Sequence, residues 1–247
     1  MKLASPILLL SLAVHASAQT GFDVPQAGMM VDRSGSLRAV AGIAQSFVVG
    51  AALRADVLSA ACARSWCLVK TATSLVTSPN SDDPGTSAPA GPALFSLQRQ
   101  SALIYFPATH QFAHFEDSQL RILDWTIDGE VLALRATATG PQFAVRREDG
   151  VWIITLDGSI QAALPVETAA VLLLDGVVVY SLPESITLRR EDGSEISFDV
   201  HGANSLSQLG ENYVQASSTE ATYVIRIDPG REQLAVLPDP GRTGAAQ

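Results

Sequence analysis

The chain has 247 residues, with 16 Lys+Arg against 25 Asp+Glu, a formal net charge of −9 and 47% apolar residues. That apolar share can fill a large core and excludes global disorder, and the length suits one or two domains. The acidic sum leaves no electrostatic footprint for nucleic acid, and none for an anionic membrane face.

From the N-terminus, Lys2 forms a short positive region and Ile7 to Val14 an apolar one interrupted only by Ser11. Ala16-Ser17-Ala18 then places small residues at the −3 and −1 positions before Gln19. This is the secretory signal pattern over residues 1–18, with cleavage expected after Ala18. The alternative is a short membrane anchor, but the apolar run is too short to span a bilayer of about 30 Å as a helix. Without the segment, whose one charge is Lys2, the net charge becomes −10. No later stretch reaches transmembrane length, so the mature chain 19–247 is expected to be exported, periplasmic or extracellular, as a single domain. Export permits a disulfide. Leu58, Ala60 and Cys62 alternate, as do Cys67, Val69 and Thr71. A hairpin with a four-residue loop, Ala63 to Trp66, sets Cys62 opposite Cys67 within bonding reach. A structural bridge is expected. Two free buried thiols are the alternative, and the CxxxxC spacing is not that of a redox CxxC.

Residues 77–92 hold four Pro, two Gly and five Ser/Thr and read as a long loop, either a surface excursion or a lid. Beyond it, short Val/Ile/Leu-rich runs separated by turn residues predict strands. Among them are Glu130–Arg135, Phe143–Arg147, Val151–Leu156, Val177–Ser181 and Ile186–Arg190. Asp-Gly recurs at 128–129, 149–150, 157–158, 175–176 and 192–193. Such pairs suit tight hairpins, because glycine accepts the positive φ they require. Arg146-Arg147-Glu148-Asp149-Gly150 repeats as Arg189-Arg190-Glu191-Asp192-Gly193, 43 residues later, and a weaker copy ends at Gly230. A period near ~40 with four strands per unit is the mark of propeller blades. The expected fold is an all-β propeller of about five four-stranded blades, or six, with units at 45–78, 93–120, 121–166, 169–203 and 204–238. Met29–Val40 is left over as a hairpin that closes the ring by pairing with the last strand, Gln233–Leu237. A β-sandwich is the competing fold.

Two segments carry a family resemblance. Leu123-Asp124-Trp125-Thr126-Ile127-Asp128-Gly129-Glu130-Val131-Leu132-Ala133-Leu134 resembles the W-S-P-D-G-x-x-L-A stretch of TolB-type and WD40-like bacterial propellers. Val151-Trp152-Ile153-Ile154-Thr155-Leu156-Asp157-Gly158 resembles their I-W-V-x-D-L-D-G strand. Thr126-Ile127 stands where the family has Ser-Pro, and the match covers one blade. The resemblance implies a propeller fold. Over the whole chain the likeness is to exported bacterial propellers of uncharacterised function.

His110, His114 and Glu116 form the one histidine–carboxylate cluster, and alternation along a strand would set them on one face. The glutamate of an HExxH zinc motif is missing, so no metal site is expected. Neither a G-x-S-x-G elbow nor a phosphate-binding glycine loop occurs. Neither catalytic residues nor a cofactor are therefore expected. A propeller glycosidase would need two carboxylates at the ring centre, and Asp124, Asp128, Glu130 and Asp175 lie near blade starts. The expected function is a non-enzymatic scaffold for a protein or peptide partner. The alternative is a carbohydrate-active propeller, a glycosidase or a lectin.

Overall fold

A computed structural model describes residues 25–43, 46–63, 66–78 and 85–238. They form six antiparallel sheets, each built from strands consecutive in sequence. The first has three strands, β1 (Gln26–Val31), β2 (Leu37–Ile43) and β3 (Ser46–Arg54). The second holds β4 (Ser59–Cys62), β5 (Cys67–Lys70), β6 (Ser74–Val76) and β7 (Thr86–Ser87), and the third β8 (Leu94–Leu97), β9 (Ser101–Phe106), β10 (Gln111–Glu116) and β11 (Gln119–Leu123). The fourth holds β12 (Glu130–Thr137), β13 (Gly140–Arg147), β14 (Gly150–Thr155) and β15 (Ile160–Leu164). The fifth is β16 (Ala170–Leu174), β17 (Val177–Ser181), β18 (Ser185–Arg190) and β19 (Glu195–Asp199), and the sixth β20 (Ser205–Gly210), β21 (Tyr213–Ser217), β22 (Thr222–Arg226) and β23 (Gln233–Val236).

The expected all-β propeller is therefore present, with six sheets where five were favoured. The leftover hairpin is β1 and β2, and it forms a blade with β3 rather than completing another. The unit expected at 45–78 takes in β3, which the structure places with the leftover hairpin instead. Val48 and Phe47 of β3 register with Ala41 and Gly42 of β2.

Both faces of the middle strands are buried, which explains their nearly unbroken apolar runs. In β13, Phe143 and Val145 enter the core shared with the third blade, and Ala144 enters the core shared with the fifth. Six such cores lie around the ring, one between each pair of neighbouring sheets. Arginines staple neighbouring blades across these cores. Arg146 reaches Thr168 O at 2.8 Å, and Arg190 reaches Ile227 O at 3.2 Å.

The pentapeptide that suggested the period is not in blade register. Its first copy turns between the second and third strands of the fourth blade, and its second between the third and fourth strands of the fifth. The true repeat is seen in the inner strands, which start at residues 59, 94, 130, 170 and 205.

Those strands, β4, β8, β12, β16 and β20, run parallel and meet one another around the centre. Ala93 N donates to Ser59 Oγ, and Ala136 N to Ser96 Oγ, both at 2.9 Å. β1 runs the opposite way. Its start, Ala27-Gly28, lies against the end of β20 at Leu209-Gly210. Gly35, just past its end, accepts a 2.8 Å bond from Val57 N, just ahead of β4. The first sheet thus corresponds to the outer three strands of a blade, and no innermost strand accompanies it among the described residues.

The expected pairing of Met29–Val40 with Gln233–Leu237 is not what closes the ring, because no ladder joins the first and sixth sheets. Faces close it instead. Ala27, Met30, Val40 and Phe47 pack on Leu209, Val224 and Leu237. Arg33 Nη2 also donates to Ser218 O at 3.0 Å. β1 approaches β20 closely because Gly28 and Gly210 have no side chains: a Cβ on either would overlap a carbonyl oxygen of the opposite strand. Within the expected loop 77–92, Thr86–Ser87 pairs with Leu75 and Ser74 as the outer strand of its blade.

Candidate functional site

The inner strands surround a central cavity of about 1210 Å³. Their parallel course points the connections between blades toward one end of it and the first hairpin turns toward the other. Aliphatic side chains from successive strands line the wall, including Leu94, Leu132, Leu172 and Leu206, with Met29 and Val31 from β1. Between them stand hydroxyls and amides, among them Ser96, Ser207, Gln98 and Gln208. A second cavity of about 820 Å³ shares Met29, Gln208 and Glu211 with the first.

Among the described residues three charged ones, Arg135, Asp175 and Glu211, line the central cavity, and each has a partner. Arg135 pairs with Asp175 and donates through Nη1 to Leu174 O at 2.7 Å, while Glu211 has a partner of its own. Of the four carboxylates singled out from the sequence, Asp175 alone lies on this wall. Glu130 instead meets Arg146 at 2.7 Å, and the main chain of Asp128 accepts from Arg147 at 3.3 Å.

The two histidines are not drawn into one centre. His110 occupies the turn before β10 with φ 53° and sits 3.2 Å from the Tyr105 hydroxyl. Burial, reinforced by the charge of Glu130, pushes the Tyr105 phenol up, so it remains protonated at neutral pH. His114 lies along β10, with Nδ1 4.0 Å from Glu116. No group of three or more His, Cys, Asp or Glu residues is placed to hold a metal ion among the described residues.

Cys62 and Cys67 are bonded, as the hairpin reading expected, and face each other in the β4–β5 ladder with Cα atoms 4.0 Å apart. Both belong to the wall of the smaller cavity.

Gln215 was not found from the sequence. It belongs to β21, opposite Ser207, and lines the central cavity while only 6% exposed. Its Nε2 donates to Val31 O at 3.3 Å and contacts Ser217 Oγ at 3.2 Å. Its Oε1 has no hydrogen-bond partner. The signal for this role was not local, because the carbonyl that orients the amide is 184 residues away.

No family model matches the chain, and no curated protein resembles it in sequence. Solved structures resemble it in fold. PorZ of Porphyromonas gingivalis, a bacterial surface component of the type-IX secretion system, aligns over 85% of this chain and 30% of its own at 11% identity and a TM-score of 0.51. An extracellular domain assigned to a hybrid two-component system of B. thetaiotaomicron aligns over 87% of this chain and 33% of its own, at 10% identity and TM-score 0.48. The WD40 domain of Neurospora crassa Pan2 aligns over 87% and 79%, at 9% identity and TM-score 0.49. The chain spans about a third of the length of the first two. Of the three, PorZ alone reaches a TM-score of 0.5, and at that identity the likeness is one of fold.

Proposed function

We propose that this chain is an exported β-propeller that serves as a non-enzymatic scaffold for a protein or peptide partner. The observation that carries the reading is the wall of the central cavity. It combines aliphatic side chains with neutral amides and hydroxyls, its Arg135 and Asp175 pair with each other, and Glu211 has a contact of its own. Such a surface offers contacts to a polypeptide but brings no pair of free carboxylates together.

Export is supported by the signal pattern in residues 1–18, which lie outside the described residues, and by the disulfide. No helix among the described residues is long and apolar enough to cross a membrane. The acidic net charge argues against a nucleic-acid partner. The finer likeness to TolB-type propellers is part of the reading and rests on Leu123–Leu134 and Val151–Gly158.

The test is site-specific photo-crosslinking in exporting cells. A crosslinking residue at Gln208, exposed within the cavity, should give a discrete protein adduct, identified by mass spectrometry. One at Ile122 on the outer strand β11 should give none. Glycoside cleavage by the purified protein, or equal labelling from both positions, would contradict the proposal.

A further inference from the structure

We propose that the first sheet, β1–β3, is an exchangeable element. Two copies of this chain dimerise by trading it, each first sheet filling the slot between the sixth and second sheets of the other copy. The exchange is independent of the partner proposed for the central cavity.

β1, β2 and β3 are consecutive in the chain, and no strand of another sheet pairs with them among the described residues. The connection from β3 to β4, Ala55 to Leu58, is the link between this sheet and the rest of the described fold. The sheet is therefore a unit that can move as one body about a short hinge.

Its departure leaves the centre of the ring closed. The inner strands β4, β8, β12, β16 and β20 meet in turn, and β20 also meets β4 directly. The first sheet gives no strand to that inner ring. Its slot is bounded on the inside by β20 and β4 and opens outward, where a second copy can approach.

The sheet is held mainly by the blade farthest from it in sequence. Toward the sixth sheet it shares a core of seven buried residues, and Arg33 donates to Ser218 O at 3.0 Å while Gln215 donates to Val31 O at 3.3 Å. Toward the second sheet, its neighbour in sequence, the core has four buried residues, Leu37, Val57, Cys67 and Val69. Ile43 follows Leu37 on the same face of β2, and Val48 lies opposite Ala41 of that face. Both are 62% exposed, because β6 and β7 of the second sheet, three and two residues long, are too short to cover them. Most of what holds the first sheet is thus a surface that the same sheet of another copy would fit equally well.

The hinge favours the exchange. Ala55 and Asp56 are exposed, and Asp56 has φ 58°, the left-handed region that costs a residue with a Cβ free energy. The chain needs that turn to fold its own first sheet back into its own slot. When it reaches across to a second copy, the hinge extends and the strain is relieved. Short hinges under strain invite such swapping. The core contacts are the same in the closed monomer and the exchanged dimer, so the balance between them is set by the hinge and by protein concentration.

The test is to refold the exported protein from urea, its disulfide intact, over a range of concentrations and to read its mass by size exclusion with light scattering. A dimer should form, with a share that rises with concentration. Asp56→Gly, which relieves the hinge of the closed form, should lower the association constant about tenfold. Gly28→Ala and Gly210→Ala, one of them isotopically labelled, are then refolded together. In their exchanged heterodimer one seam joins an intact Gly28 to an intact Gly210, whereas every seam of either homodimer carries an alanine. Native mass spectrometry should therefore show heterodimers well above the statistical half. Monomer at every concentration, heterodimers at the statistical half, or an Asp56→Gly dimer as stable as the wild type would each overturn the proposal. The Asp56→Gly comparison decides it even where a glycine variant fails to refold.

Discussion

Replacing Gly28 by alanine should damage the ring at its seam far more than an ordinary glycine substitution would. A Cβ at Gly28 would overlap the carbonyl oxygen of Leu209, far inside the 3.0 Å below which real Cβ atoms are essentially never found. The obstacle is main chain on both sides, so no side-chain rotation relieves it, and β1 must part from β20 by more than an ångström. The core that this opens holds seven buried residues, Ala27, Met30, Val40, Phe47, Leu209, Val224 and Leu237. Full burial of such side chains contributes about 1.5–3 kcal/mol each, and a gap of this size forfeits a quarter to a half of the contact energy. Only the part of that burial that crosses the seam is forfeited, so with the unfavourable backbone angle the expected loss is about 3–5 kcal/mol. In a domain of this size that corresponds to a melting temperature about 10 °C lower. The control is Gly202→Ala, where φ is +63° but no heavy atom lies within 4 Å of the added carbon. It should cost only the backbone term, about 1–2 kcal/mol. Differential scanning calorimetry compares the two. Equal drops, or a silent Gly28→Ala, would refute the seam.

Lys70 is fully buried, and its amine donates to the carbonyls of Thr71 and Ala72 at 2.7 and 3.1 Å. Burial holds its pKa below the ordinary 10.5, so between the lowered folded value and 10.5 the unfolded chain binds the extra proton and stability rises with pH. Urea midpoints across the alkaline range should show that rise in the wild type and a flatter profile in Lys70→Met. Burial alone would raise the Asp32 carboxyl, but the Ser34 hydroxyl, the Arg38 guanidinium and the N–H groups of Ser36 and Ser34 together hold it below 3.8. Its contribution is full at neutral pH and is lost as pH falls through the folded value, so Asp32→Asn should be less stable at neutral pH and lose less on acidification. Reducing Cys62–Cys67 closes no large loop and should cost about 1–3 kcal/mol, read from melts with and without reductant. N-terminal sequencing of exported protein should begin at Gln19, and an intact Met1 would contradict the signal.

The middle strands were legible because they are buried on both faces and bounded by turn chemistry. Asp175-Gly176 is a two-residue hairpin between β16 and β17, with Gly176 at φ 68°, as an Asp-Gly pair between apolar runs suggests. The blade register was less legible. Each strand ends in a similar polar turn, so an exact pentapeptide at two non-equivalent turns imitated a period. The first blade was missed because Met29–Val40 looks like any hairpin, and its place depends on Gly28 meeting Leu209 across the closed ring. The short β7 was hidden because Thr86-Ser87 pairs through its main chain, in a stretch whose composition signals only turns. At the candidate site, the cysteine pair could be read from alternation on either side of one turn. Gln215 could not, because a buried amide is defined by what surrounds it.

The proposed scaffold places partner recognition in the cavity between the inner strands. Hydrogen exchange of the protein, alone and bound to the partner found by crosslinking from Gln208, decides whether it does. Exchange should slow at the inner strands β12, β16 and β20 and at β1, with the outer strands β11, β15 and β19 unchanged. Protection confined to those outer strands would contradict it.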